Sequence, residues 1–208
     1  MGYKVLVICG SPHRAGCTNR ALEEVCRVLN QEGVETEWIR VGGKEAHGCQ
    51  ACGYCSKNDR CVFDDGVNEA AKLLQEADGL LIGSPVHYAS PAGALLGFLD
   101  RLFYSSDSLH MKVGAAVVSC RRGGNTASFD VLNKYFTISG MPVASSTYWN
   151  QVHGFSAADV EKDLEGLQTM RNLGRNMAFL IKAIATQKEK DGLPLVERGA
   201  FTSFPDGK

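Results

Sequence analysis

Four of the eight cysteines in this chain fall within thirteen residues, as Cys49-x2-Cys52-x2-Cys55-x5-Cys61. Thiolates at this spacing can wrap one face of a cubane iron–sulfur cluster. Structural zinc sites more often use two separated Cys-x-x-Cys pairs, so zinc ranks below iron–sulfur here. Gly48 and Gly53 let the segment fold tightly. Asp64-Asp65, just beyond, reads either as an anchor of that loop or as the N-cap of the next helix. The other four cysteines are scattered. Cys9, Cys26 and Cys120 lie in apolar or tight-turn contexts, where a thiol acts as a small hydrophobe, and Cys17 belongs to the first of three polar loops.

That loop, Gly10-Ser11-Pro12-His13-Arg14-Ala15-Gly16-Cys17-Thr18-Asn19, lies between an apolar run and a helical pattern. Free backbone N–H groups and the positive end of a helix dipole favour a bound phosphate there. Neither the Gly-x-x-x-x-Gly-Lys-Ser/Thr of a P-loop nor a Gly-x-Gly-x-x-Gly fingerprint is present, which argues against a triphosphatase or a dinucleotide at this loop. A monophosphate gripped mainly by neutral donors fits; the alternative is a polar turn with a good helix cap. The second loop, Ser84 to Gly93, carries a proline near each end and could flank a flat ring with Pro85, Val86, His87, Tyr88 and Ala89. Its plain reading is a strand stop and a helix start. In the third loop, Ser119 to Thr126, Gly123 and Gly124 permit close backbone approach beside Cys120. Arg121 and Arg122 there either neutralise an anion or form a solvated surface pair.

These loops need a scaffold. Tyr3–Cys9 reads as a strand buried on both faces, followed by a helix capped at Thr18 or Asn19 with Leu22, Val25, Cys26 and Leu29 at helical spacing. Further strands are expected at 35–41, 79–83 and 113–119, with a short fifth strand beginning at Pro142–Ala144. Helices are expected at 67–77, 92–104, around Phe129–Phe136 and over 157–186. Alternating strands and helices predict a parallel sheet with right-handed crossovers, order 2-1-3-4-5, and a ligand crevice where the order reverses. The chain has 208 residues, 44% hydrophobic and 22% charged, the balance of one globular domain, and its net charge of −1 makes nucleic acid an improbable partner. No apolar run approaches the roughly 20 residues that span a bilayer. The short apolar start reads as a first strand rather than a signal sequence, so a cytoplasmic protein without membrane attachment is expected. Residues 1–186 form the expected domain, with the cysteine-rich loop 48–65 inserted after strand 2. Residues 187–208 form a polar arm or tail.

Gly10-Ser11-Pro12 with Thr18-Asn19, Gly83-Ser84-Pro85-Val86-His87-Tyr88 and Asp100-Arg101 together resemble the NADPH-dependent FMN reductase branch of the flavodoxin-like superfamily, and the cysteine segment resembles that of its iron–sulfur flavoproteins. The resemblance runs from Lys4 to about Ala183. It implies a flavodoxin-like three-layer α/β/α fold. It also implies FMN phosphate at Ser11, Arg14, Thr18 and Asn19, with Pro12 and Cys17 in the same turn, and the flavin ring against Pro85–Ala89 and the Arg121–Gly124 loop, with Cys120 beside it. The tyrosine usual after Pro-Val is His87 here, with Tyr88 next. The implied activity passes a hydride from NAD(P)H through FMN to a small acceptor such as free flavin or a quinone. The alternative is an electron carrier with FMN, a [4Fe-4S] cluster on Cys49, Cys52, Cys55 and Cys61, and a protein redox partner. Relatives that keep such a loop without a cluster leave both open. His87 is a candidate wall of the acceptor pocket, no side chain is required as acid, base or nucleophile, and a homodimer or homotetramer is expected.

Overall fold

The computed structural model describes residues 2–43, 45–200 and 202. Val5–Cys9 are all buried, so the first strand, β1 (Tyr3–Cys9), is covered on both faces, as its unbroken apolar run requires. It is flanked by β2 (Val34–Arg40) and β3 (Gly79–His87); β5 (Val113–Cys120) lies beyond β3, and β6 (Gln151–His153) closes the edge. All ladders along β2-β1-β3-β5-β6 are parallel. This is the expected doubly wound, flavodoxin-like order. A two-residue strand, β4 (Ser90–Pro91), folds back antiparallel on the end of β3.

Side chains alternate between two cores. On one face Val5, Val7, Cys9 and Val117 pack against α1 (Cys17–Gln31) and α7 (Leu164–Asp191). On the other, Leu6, Ile8, Ile82 and Val118 meet α3 (Val67–Glu76), α4 (Gly93–Ser105) and α5 (Asn125–Ile138). Two short helices complete the chain, α2 (Cys55–Asn58) in the cysteine segment and α6 (Ala157–Val160) after β6.

Three local expectations are corrected. Pro142–Ala144 forms only the Gly114–Val143 bridge, and the fifth ladder strand is Gln151–His153. The chain leaves the sheet after Ala144 because the next polar residues bond to α7: Ser146 Oγ donates to Thr169 O (2.7 Å) and Asn176 Nδ2 to Ser145 O (2.8 Å). The helix expected over 157–186 is broken at 161–163, where Asp163 caps a new helix through the Gly166 N–H (2.9 Å), and that helix continues to Asp191. Helix α1 starts at Cys17 behind Gly16, so neither Thr18 nor Asn19 is its cap. No helix among the described residues is long and apolar enough to cross a membrane.

The α1–α7 contact contains a buried carboxylate. Glu24 meets Arg20 (3.1 Å), Arg27 (2.9 Å) and Arg171 (3.1 Å). Burial acts to raise its carboxyl, but the guanidinium hydrogen bonds outweigh it and hold it at about 2, against an ordinary 4.5. A depressed carboxylate contributes stability that is complete above its unfolded value and lost as pH falls through its folded one. Glu24→Gln is therefore expected to lower unfolding stability at pH 7 by roughly 2–3 kcal/mol. In chemical denaturation across a pH series, the gap to wild type should close as pH falls from 4.5 to about 2; a gap that is constant with pH would refute the assignment.

Candidate functional site

The first, second and third loops meet at the carboxyl ends of β1, β3 and β5. The turn after β1 closes on itself: the His13 N–H donates to Ser11 Oγ (3.2 Å) and the Gly16 N–H to His13 O (3.2 Å). Ser11 is buried, while Pro12, His13, Arg14 and Ala15 are exposed. The backbone N–H groups of Cys17, Thr18 and Asn19 open α1 without an acceptor among the described residues. Thr18 Oγ1 lies 2.7 Å from Ser119 Oγ, which joins the turn to the end of β5. Cys17 Sγ donates to Gly154 O (3.4 Å), past the end of β6. Burial pushes the Cys9, Cys17 and Cys120 thiols up, so all three stay neutral. The Asn19 side chain turns away: its amide donates to Glu23 and accepts from Arg40 Nη1 (2.5 Å). Asn19 thus brings its N–H, and not its side-chain amide, to the turn.

The second loop is a hairpin extending the sheet. Val86 pairs with Pro91 and His87 with Ser90, and Ser84 Oγ accepts the Ala92 N–H (3.0 Å) at its base. Tyr88 at the tip has φ +59° and is fully exposed. Pro85 is register partner to Ser119, so the hairpin and the third loop start side by side. Arg121, Arg122, Gly123 and Gly124 are exposed; behind them Asn125 Nδ2 lies 3.0 Å from His153 Nε2.

The cysteine segment lies on α4. All four of its cysteines line one cavity of about 500 Å³, together with Arg101 and Tyr104. Cys49 and Cys52 are exposed, Cys55 half-buried and Cys61 buried. The Cys61 backbone is clamped by Asn68, which accepts its N–H (2.8 Å) and donates to its carbonyl (3.2 Å). Gly66 is the residue before α3, so Asp65 serves as loop anchor, in a bidentate pair with Arg101. Burial works against the Arg101 charge, but the Asp65 hydrogen bonds override it and keep the guanidinium protonated.

Residues 3–155 match the family model for NADPH-dependent FMN reductases. An iron–sulfur flavoprotein of Methanocaldococcus jannaschii is 33% identical over 190 residues, covering 87% of this chain and 98% of that protein. The chain belongs to this family. A second iron–sulfur flavoprotein, from Methanosarcina thermophila, is 27% identical and covers 90% of this chain and 100% of its own length. A solved archaeal flavodoxin shares the fold with TM-score 0.58 at 18% identity, covering 86% of this chain and 99% of its own.

Family membership gives the two sites a chemical test. At the turn after β1 the unpartnered N–H groups of Cys17–Asn19 form a donor set suited to a phosphate monoester, with the Ser11 hydroxyl 3.4 Å from His13 O and the Thr18 hydroxyl beside Ser119. In the cysteine cavity, no three His, Cys, Asp or Glu side chains among the described residues converge on a single-ion site. Four thiols opening on one cavity are the donor set that a cubane, with one thiolate per iron, would take. Ser119 was missed as a partner of Thr18, and nothing local to β5 marks it. Arg101 entered the sequence reading only within the Asp100-Arg101 motif and without a role at the cysteine loop, although it is a charge on a helix whose Leu95, Phe98, Leu99 and Leu102 are all buried.

Proposed function

We propose that this chain is an FMN-dependent oxidoreductase whose four-cysteine loop carries a [4Fe-4S] cluster and which passes electrons between these two centres and a redox partner. The observation that carries the reading is that all four cysteines open on one cavity seated on α4, the helix that begins at the foot of the 84–92 hairpin. Along that helix Arg101 lies eight residues from Gly93, about 12 Å. In this reading the hydroxyls of Ser11 and Thr18, the N–H groups of Cys17–Asn19 and the Arg14 guanidinium hold the FMN phosphate. Pro85–Ala89 and Cys120–Gly124 flank the ring, and the Arg121 and Arg122 side chains with the Gly123–Gly124 amides oppose negative charge gained there. Cys49, Cys52, Cys55 and Cys61 hold the cluster. Bound FMN supplies both one- and two-electron chemistry and the cluster supplies one-electron transfer.

A second reading, a NAD(P)H-dependent reductase of a small acceptor such as free flavin or a quinone, is favoured by the exposure of His87–Ala89 and Arg121–Gly124. That exposure leaves room for a nicotinamide and then an acceptor, with His87 as a pocket wall. The same wholly exposed Tyr88 tip is an edge that another subunit of a homodimer or homotetramer would cover. Anaerobic rapid mixing separates the two readings. The carrier predicts that a reduced one-electron donor bleaches the cluster band and then the flavin bands, while NADPH oxidation is not sustained. Sustained NADPH turnover with flavin bands alone would favour the reductase.

A further inference from the structure

Arg101 is nearly inaccessible, 2% exposed, in the middle of an apolar helix. Its Nη1 and Nη2 donate to Asp65 Oδ1 (2.8 Å) and Oδ2 (2.7 Å). Its Nε donates to His47 O (2.8 Å) and Gly97 O (3.2 Å), and Nη1 lies 3.9 Å from Cys61 Sγ. Phe63 and Phe98 face the guanidinium at 5.8 and 5.9 Å. His47 is where the chain enters the cysteine segment, and Cys61–Asp65 is where it leaves, so one side chain grips both ends. The entering segment lies directly on α4: a Cβ on Gly97 would stand 3.0 Å from His47 O and 3.2 Å from Gly48 Cα. Among the residues lining the cavity Arg101 is the one cation.

We propose that Arg101 is the positioning residue of the four-cysteine site: its planar fork sets the separation of the Cys49 and Cys61 ends before any cofactor is bound, and it aims an N–H donor at the Cys61 sulfur. The inference rests on the cluster reading above. An arginine suits this geometry because two of its nitrogens meet the carboxylate in parallel while the third serves the carbonyls; a lysine donates from a single atom and cannot make that fork. A hydrogen bond to a ligand sulfur favours the more negative, reduced cluster and raises its potential. Loss of its charge alone would also lower that potential, so the Lys variant, which keeps the charge and loses the fork, separates positioning from charge.

The test uses full-length, anaerobically prepared protein with Arg101→Met, Arg101→Lys and Asp65→Asn. FMN content serves as the folding control. Arg101→Met should keep FMN, lose iron to a chelator at least tenfold faster than wild type, and shift the cluster's reduction equilibrium about tenfold toward the oxidised form, about 59 mV for one electron. Arg101→Lys and Asp65→Asn should fall between, with amide exchange over 48–61 in iron-free protein at least tenfold faster than wild type. A Met variant with wild-type chelation rate and potential overturns the proposal. Wild-type protein that takes up no iron overturns the cluster reading itself, and the positioning role is then decided in iron-free protein: faster exchange over 48–61 in the variants supports it, and unchanged exchange overturns it. If Arg101→Met fails to fold, the Lys variant decides by the same two readouts.

Discussion

A Gly42→Ala chain is expected to fold and yet to purify almost free of flavin. Gly42 follows β2, and both Val41 and Gly42 donate their N–H groups to Cys9 O. This presses the start of the next loop against the turn after β1. A methyl group on Gly42 would stand 2.1 Å from Ser11 C, 2.2 Å from Ser11 O and 2.5 Å from Pro12 N. These are backbone atoms of the turn itself, with no side chain free to swing aside. The turn must therefore move, and the Ser11 hydroxyl and the N–H groups of Cys17–Asn19 cease to converge. Hydrogen bonds to a charged group are worth about 1.5–3 kcal/mol each, so losing two costs about 3–6 kcal/mol, more than a hundredfold in FMN affinity. Fluorescence titration of apoprotein with FMN measures this directly, with circular dichroism to show that the sheet persists. Ser11→Ala, which removes one donor, should cost about 1.5–3 kcal/mol, roughly ten- to a hundredfold.

The second large effect is at Cys61. Cys61→Ser is expected to retain FMN but almost no iron, because the position is buried and its backbone is fixed on both sides by Asn68. No neighbouring cysteine can move into its place. Cys52, on the exposed part of the loop, has more freedom around it, and Cys52→Ser should leave a partially loaded, labile centre. The control is Cys26→Ser: that thiol, on α1, is buried in the core and does not line the cysteine cavity, so the iron content should equal wild type. Iron and acid-labile sulfide assays on the three variants check the order. Equal iron loss from Cys26→Ser and Cys61→Ser would contradict it.

Much of this arrangement was legible in the sequence because it follows from strong local patterns. The unbroken apolar run Val5–Cys9 can only be a strand covered on both faces, and polar residues crowded between it and Leu22 mark the turn above it. The three loops fell beside one another once the order of strands was set, since strand ends on one side of a parallel sheet share an edge. What escaped depends on partners distant in sequence. Pro142–Ala144 has strand character, but Ser146 and Ser145 are drawn to Thr169 and Asn176, which takes the chain off the sheet. Asn19 has the right chemistry for a phosphate, yet Glu23, one helical turn on, and Arg40 on β2 claim its amide. Thr18 and Ser119 are 101 positions apart, and Arg101 and Asp65 are 36 apart. No periodicity signals such pairs.

In the proposed function one edge of the sheet grips a phosphate monoester while the loop on α4 holds four thiolates around a cluster. Its most direct test is the composition of the anaerobically purified wild-type chain: visible spectrum, FMN released on denaturation, and iron and acid-labile sulfide per chain. The account predicts flavin bands over a broad absorption that bleaches with dithionite, FMN near equimolar with chain, and iron and sulfide at about four each. Flavin at full occupancy with no iron would remove the cluster and leave the reductase reading. A colourless chain that takes up no added FMN would contradict the account at its root.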